Sequence, residues 1–194
     1  ARQVAVVLTN LAANHQERGA FRESLPIHER AVAIMRAVHA GAAHPELAHV
    51  LNGLANALLS LGEYERARAL HEEALAMREA ALGPDHQSVG ASLNNLSLVL
   101  QAQGDLQGAR VPLERAVAIW EKALGPDHAM VAQGYNNLGT LAGRLGDFDR
   151  ARQHLDAALA IRLNKMGPDH PLVAQTRLNL GKLLVLLKDY PAAK

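Results

Sequence analysis

Gly83-Pro84-Asp85-His86 recurs as Gly125-Pro126-Asp127-His128 and as Gly167-Pro168-Asp169-His170, 42 residues apart both times. A degenerate copy, Gly41-Ala42-Ala43-His44, stands 42 residues before the first. Between these markers each unit repeats one text. An Asn-containing start reads Leu8-Thr9-Asn10-Leu11, Leu51-Asn52-Gly53-Leu54, Leu93-Asn94-Asn95-Leu96, Tyr135-Asn136-Asn137-Leu138 and Arg177-Leu178-Asn179-Leu180. Eight residues on comes Gly19, Gly62, Gly104 or Gly146; two further stands Phe21, Tyr64, Leu106 or Phe148, with Tyr190 in the last unit. Small residues follow at Ser24, Ala67, Ala109, Ala151 and Ala193, then at Ala31, Ala74, Ala116 and Ala158. A fixed period of this size is the signature of a repeat architecture. The units are 1–43, 44–85, 86–127, 128–169 and a shorter 170–194, forming one array; the extra residue of the first falls between Ile34 and Gly41.

Each unit reads as two helices. Val89, Leu93, Leu96 and Leu100 lie at helical spacing in the first. Asp85, Asp127 and Asp169 are placed to cap it, and Pro45 and Pro171 suit its first turn. The central glycine ends it, and Glu63, Asp105, Asp147 and Asp189 can cap the second helix. Gly-Pro closes that helix, because proline cannot continue it. Ala12, Ala55, Ser97, Gly139 and Gly181 keep one position small, as two closely packed helices require. Pro26 and Pro112 fall beyond the first turn of a second helix, where they bend or weaken it.

Composition narrows the chemistry. The 194 residues are 49% hydrophobic, 20% charged and 3% aromatic, with no cysteine. Disulfides, thiolate metal sites and a cysteine nucleophile are excluded. Twenty Lys+Arg against 19 Asp+Glu leave a formal charge of +1, which offers no basic field to nucleic acid or an anionic membrane. The longest apolar runs, Val4–Leu8 and Leu183–Leu187, fall far short of the ~18 residues of a membrane span.

The sequence resembles the tetratricopeptide repeat, in the 42-residue variety of kinesin light chains and many bacterial signalling proteins. The resemblance rests on the Leu-x-x-Leu/Ala pairs, the Gly-x-aromatic turn, the two alanines of the second helix and the Leu-Gly-Pro-Asp-His link, and it covers essentially the whole chain. It implies an all-α, right-handed α-solenoid of helix-turn-helix repeats whose first helices line a concave groove. Carried onto this sequence, the groove rows are Thr9, Asn52, Asn94, Asn136 and Leu178; Asn10, Gly53, Asn95, Asn137 and Asn179; Val6, His49, Ala91, Gln133 and Gln175; Ala13, Asn56, Leu98, Thr140 and Lys182; and Glu17, Ser60, Ala102, Arg144 and Leu186. The candidate peptide-binding residues are thus Asn10, His49, Asn52, Asn56, Asn94, Asn95, Gln133, Asn136, Asn137, Arg144, Gln175, Asn179 and Lys182. An Asn amide both donates and accepts, so an Asn ladder suits the backbone of an extended peptide. It equally suits bonds between neighbouring helices.

The expected function is therefore a non-catalytic scaffold that binds a protein or peptide. Only Arg144 and Lys182 are cationic in the groove, in different units, which argues against a carboxylate clamp and for a segment of mixed polar and small apolar side chains. No metal or other cofactor is expected: His44, His86, His128 and His170 come one per unit at helix starts, where a turn or capping role suffices. Phosphate-loop and nucleophile-elbow motifs are lacking. Arg68/Glu72, Arg110/Glu114 and Arg152/Asp156 read as solvated ion pairs, and Trp120 as packing. The last stretch, Leu183–Leu187, has no following unit to cover it, so the native protein is expected to continue or to self-associate there. Two alternatives to the scaffold follow, a sensor or regulatory segment of a larger signalling kinase or ATPase and a self-association module. The expected compartment is the cytoplasm.

Overall fold

In the computed structural model, residues 1–40 and 42–187 are described. The expectations placed on Gly41, Asp189, Tyr190, Ala193 and Lys194 lie outside them. The described residues form nine helices and no strand: α1 (Arg2–Glu17), α2 (Phe21–Val38), α3 (Pro45–Ser60), α4 (Tyr64–Leu82), α5 (Gln87–Ala102), α6 (Leu106–Leu124), α7 (Ala129–Arg144), α8 (Phe148–Met166) and α9 (Pro171–Leu186). Odd-numbered helices are the first, and even-numbered the second, of each repeat.

The chain forms two compact bodies, Ala1–Gly104 and Asp105–Lys194. In the first, α1 pairs with α2 and α3 with α4, while α2 packs on α3 and α4 on α5. In the second, α6 packs on α7, α7 pairs with α8, and α8 packs on α9. The core of the first body runs through Ala31, Val32, Met35, Leu47, Leu51, Leu54 and Leu58. Each fully buried leucine contributes roughly 1.5–3 kcal/mol. The recurring alanines Ala31, Ala74, Ala116 and Ala158 are wholly buried, so adjoining helices approach closely around them. The small position works as expected: Ala12, Ala55 and Ser97 are buried, and a Cβ on Gly139 would stand 2.6 Å from Leu155 Cγ and 3.0 Å from the Ala151 carbonyl.

Helix ends follow the repeat, with one correction. The expected caps Asp85, Asp127 and Asp169 do not cap. The capping residue is the histidine that follows. In His44, His86, His128 and His170, Nδ1 accepts the backbone N–H two residues on, at 3.1–3.2 Å. Their extended backbone carries the imidazole over the first turn, whereas Asp lies one residue too early. Asp105 and Asp147 do cap α6 and α8, accepting from the N–H of Gly108 (2.8 Å) and Arg150 (3.3 Å). Glu63 occupies the cap position of α4 without a side-chain cap bond. The link glycines Gly83, Gly125 and Gly167 have φ of +86°, +87° and +81° with ψ of 158°, 156° and 167°, a positive-φ extended conformation open to glycine that ends the second helix at no steric cost. In the longer first link Ala40 holds φ +49°.

At α9 the expectation of an uncovered run is corrected in part: Leu183 and Leu184 are buried, Leu183 in a cluster with Ala151 and Leu155 of α8, while Val185, Leu186 and Leu187 are exposed. Trp120 is buried, as its packing role required. No helix among the described residues is long and apolar enough to cross a membrane.

Candidate functional site

The Asn rows knit consecutive repeats together. In the first body, the Asn52 carboxamide oxygen accepts from Asn95 Nδ2 at 3.2 Å and lies 2.8 Å from His71 Nδ1. An oxygen can only accept, so His71 carries its proton on Nδ1 and turns an unpaired Nε2 into the core. Asn94 Nδ2 donates to Asn95 Oδ1 at 3.3 Å. In the second body, Asn179 Nδ2 donates to Asn136 Oδ1 at 3.0 Å, and the position of His71 is taken by Leu155. Asn94 and Asn136 are buried; Asn52, Asn95, Asn137 and Asn179 are half-buried. The inter-helix bonding that the sequence left open is therefore real for Asn52, Asn95, Asn136 and Asn179.

The remaining candidates stand outward. Asn10, His49 and Asn56 are exposed in the first body, and Gln133, Arg144, Gln175 and Lys182 in the second. Each body has a recess between successive first helices. One, ≈ 260 Å³, is lined by Val6, Asn10, Met35, Glu46, His49 and Val50 among others. The other, ≈ 220 Å³, has a floor of Gly139, Gly143, Leu155 and Leu183, with Arg144 and Lys182 both in its lining. Sequence spacing put those two cations in different repeats, yet α7 and α9 bring them to one recess.

Buried polar groups also lie on the second helices, behind this surface. Arg78 donates to Ser92 Oγ at 2.7 Å and to the Ser88 carbonyl at 3.1 Å. Arg162 repeats the motif with Thr176 Oγ1 at 2.6 Å and the Leu172 carbonyl at 2.8 Å. Burial lowers both guanidinium pKa values from the usual range. His28 is buried with both ring nitrogens unpaired, and a Cβ on Gly53 would come within 2.7 Å of its Cε1. Burial pushes His28 and His71 down to about 4, helped by the positive charge of His49 and Arg78 respectively. Comparing repeat positions would have found these residues: Arg78 and Arg162 coincide, as do His28, His71, Leu113 and Leu155.

His44 is not as isolated as its spacing implied. His39, His44 and Glu46 offer ligand atoms within 4.8 Å of one another. The two rings are stacked, centroids 3.8 Å apart and 14° from parallel, so their in-plane lone pairs run side by side and do not converge on one ion. His44 Nδ1 is committed to its cap, and the Glu46 carboxylate is held by Arg2. The ion pair Arg68–Glu72 (2.8 Å) is exposed, as are the looser Arg110–Glu114 (4.0 Å) and Arg152–Asp156 (3.8 Å), and none of the three lines either groove recess.

Helix pairs of nearly constant length, packed helix on helix within each body, define a helical-repeat protein of the α-solenoid class. The chain belongs to the tetratricopeptide repeat family, whose model matches residues 3–80, 46–122, 89–164 and 130–194. It is similar in structure to BtubC (BKLC) from P. vanneervenii, with a TM-score of 0.82 and 28% identity over 98% of this chain and 76% of that one. It is equally similar to the nearly identical TPR-like repeats of a Podosopora anserina kinesin light chain, with a TM-score of 0.82 and 25% identity over 100% of this chain and 91% of the other. The apo form of RapI shares the fold at a TM-score of 0.80 and 14% identity, over 97% of this chain and 66% of that one. No curated protein sequence matches the chain significantly. Proteins of this family are generally non-catalytic scaffolds for protein–protein interaction.

Proposed function

We propose that this chain holds an extended partner segment along its first helices, as a binding scaffold without catalysis of its own. The observation that carries the proposal is the recess between successive first helices, present in both bodies with an apolar floor and a polar rim. Concave sites of this make-up fit small side chains while rim groups fix orientation. The amide ladder of Asn52, Asn95, Asn136 and Asn179 sets the spacing of the first helices, and the outward groups Asn10, His49, Asn56, Gln133, Arg144, Gln175 and Lys182 meet the ligand.

The test is a displayed peptide library panned on the intact chain. Binders are then measured by fluorescence anisotropy against Asn56→Ala, Gln133→Ala and Gln175→Ala combined. We expect binding to fall at least tenfold in the triple variant, with an unchanged circular dichroism spectrum. Undiminished binding would sink the groove assignment.

A further inference from the structure

The second body holds another recess, on the face of α7 opposite its groove recess and sharing no residue with it. It encloses ≈ 150 Å³ between the N-terminal halves of α6 and α8, over a floor of Leu138, Leu141, Ala142 and Leu145. Arg110 and Glu114 line it from α6, and Asp147, Arg150 and His154 line it from the start of α8.

The first body shows what fills the same place two repeats earlier. The counterparts of Arg110 and His154 are Leu25 and Leu70, both packed on the core, and the counterpart of Ala142 is the wholly buried Leu58. Leu141, larger than its counterpart Ala57, returns only part of that apolar volume. The counterparts of Glu114 and Arg150 are Glu29 and Arg66, which meet at 3.2 Å and tie α2 to α4. In the second body, among the described residues, that bridge is not made. Arg150 turns back to Asp147 at 3.5 Å, and Glu114 has only Arg110, at 4.0 Å. A carboxylate and a guanidinium whose counterparts pair directly therefore stand apart, beside an apolar floor that has lost its cover.

The charge of the recess is balanced. Two guanidiniums stand with two carboxylates, and burial lowers the His154 pKa, which leaves that ring uncharged at neutral pH. A lone anion or a lone cation would meet as much repulsion as attraction. The four charged side chains are roughly half exposed and held by loose pairs, so re-pairing them costs little. A cavity of this size admits a benzene-sized body and is too small for a drug-sized ligand.

We propose that this recess binds a free α-amino acid with a leucine-sized aliphatic side chain. The side chain lies on Leu138, Leu141, Ala142 and Leu145, the ammonium meets Glu114, and the carboxylate meets Arg150. The zwitterion thereby links α6 to α8 through the two groups whose counterparts link α2 to α4 directly.

The test is isothermal titration of the intact chain with L-leucine and three analogues. These are 4-methylpentanoate, which lacks the ammonium, 3-methylbutylamine, which lacks the carboxylate, and N-acetyl-leucine methylamide, which carries neither charge. L-Leucine should bind with a Kd below about 1 mM. Each analogue should bind at least about tenfold more weakly, as loss of a charged hydrogen bond requires. Ala142→Leu, which restores the side chain of Leu58, should abolish binding without lowering Tm. Glu114→Gln, an exposed change, should weaken L-leucine at least about tenfold with an unchanged melting curve. The proposal is overturned if L-leucine gives no binding heat at millimolar concentration, or if either variant binds it as well as the unaltered chain. It is also overturned if an analogue binds as tightly; for the uncharged methylamide, that result would assign the recess to an apolar side chain of a partner protein.

Discussion

Ala40, at φ +49°, is the one non-glycine residue with a positive φ among the described residues. A Cβ there costs about 1–2 kcal/mol. Ala40→Gly should therefore stabilise the chain by about 0.5–1 kcal/mol, read from the urea midpoint; an unchanged or lower midpoint would refute the strain. His28 and His71 set a second residue-scale expectation. Their folded pKa values of about 4 lie below the ordinary histidine value of 6.5, so the unfolded chain binds protons that the fold refuses. Stability is full above pH 6.5, declines as pH falls towards 4, and levels off below that. Each histidine accounts for roughly 3 kcal/mol at most of the loss. Leu113 and Leu155 fill the same repeat position, so His28→Leu with His71→Leu should flatten the decline measured by denaturation between pH 7 and 4. Asn52 would still accept from Asn95, as Asn136 accepts from Asn179 beside Leu155. None of this was legible in composition, since a lone histidine in a helix looks the same whether it caps, packs or faces water.

At the scale of the element, the layout was legible almost to the residue. Glycine and proline fix backbone conformation locally: a glycine precedes every second helix, and Gly-Pro follows α4, α6 and α8. Caps were less legible. Asp is an intrinsically better cap than His, but capping depends on which residue takes the extended backbone, and in Asp-His that is the histidine. The joints between repeats (Met35 with Val50, Arg78 with Ser92, Trp120 with Gly134, Arg162 with Thr176) escaped single-repeat reading because each is a pair of residues fourteen or fifteen apart, on two helices. They make a direct prediction. Trp120→Arg should destabilise by about 3 kcal/mol, through loss of a buried indole and burial of a cation. Adding Gly134→Ser should recover at least about 1 kcal/mol by supplying the hydroxyl that Arg78 finds in Ser92. A double-mutant cycle with no coupling would show that the pairs coincide without communicating.

At the scale of the whole molecule, a repeat protein is only as stable at each point as its neighbouring interfaces. Helix α3 is covered by α2 and α4, whereas α1 has one covered face. Hydrogen exchange should find the central amides of α1 at least tenfold faster than those of α3, and equal protection would contradict a local account of stability. The candidate site was legible only in outline. Its rows came from the resemblance, but which asparagines are consumed by their neighbours depends on contacts 43 residues apart. The joints also bear on how such a gene can change length. Arginine joints occur at every second repeat, at Arg78 and Arg162. Losing one 42-residue block after α4 would set Arg78 against Gly134, a cation facing no hydroxyl. Losing two would set it against Thr176, the partner type it already has. At the α4 junction a loss of two blocks thus keeps the hydroxyl partner that a loss of one removes.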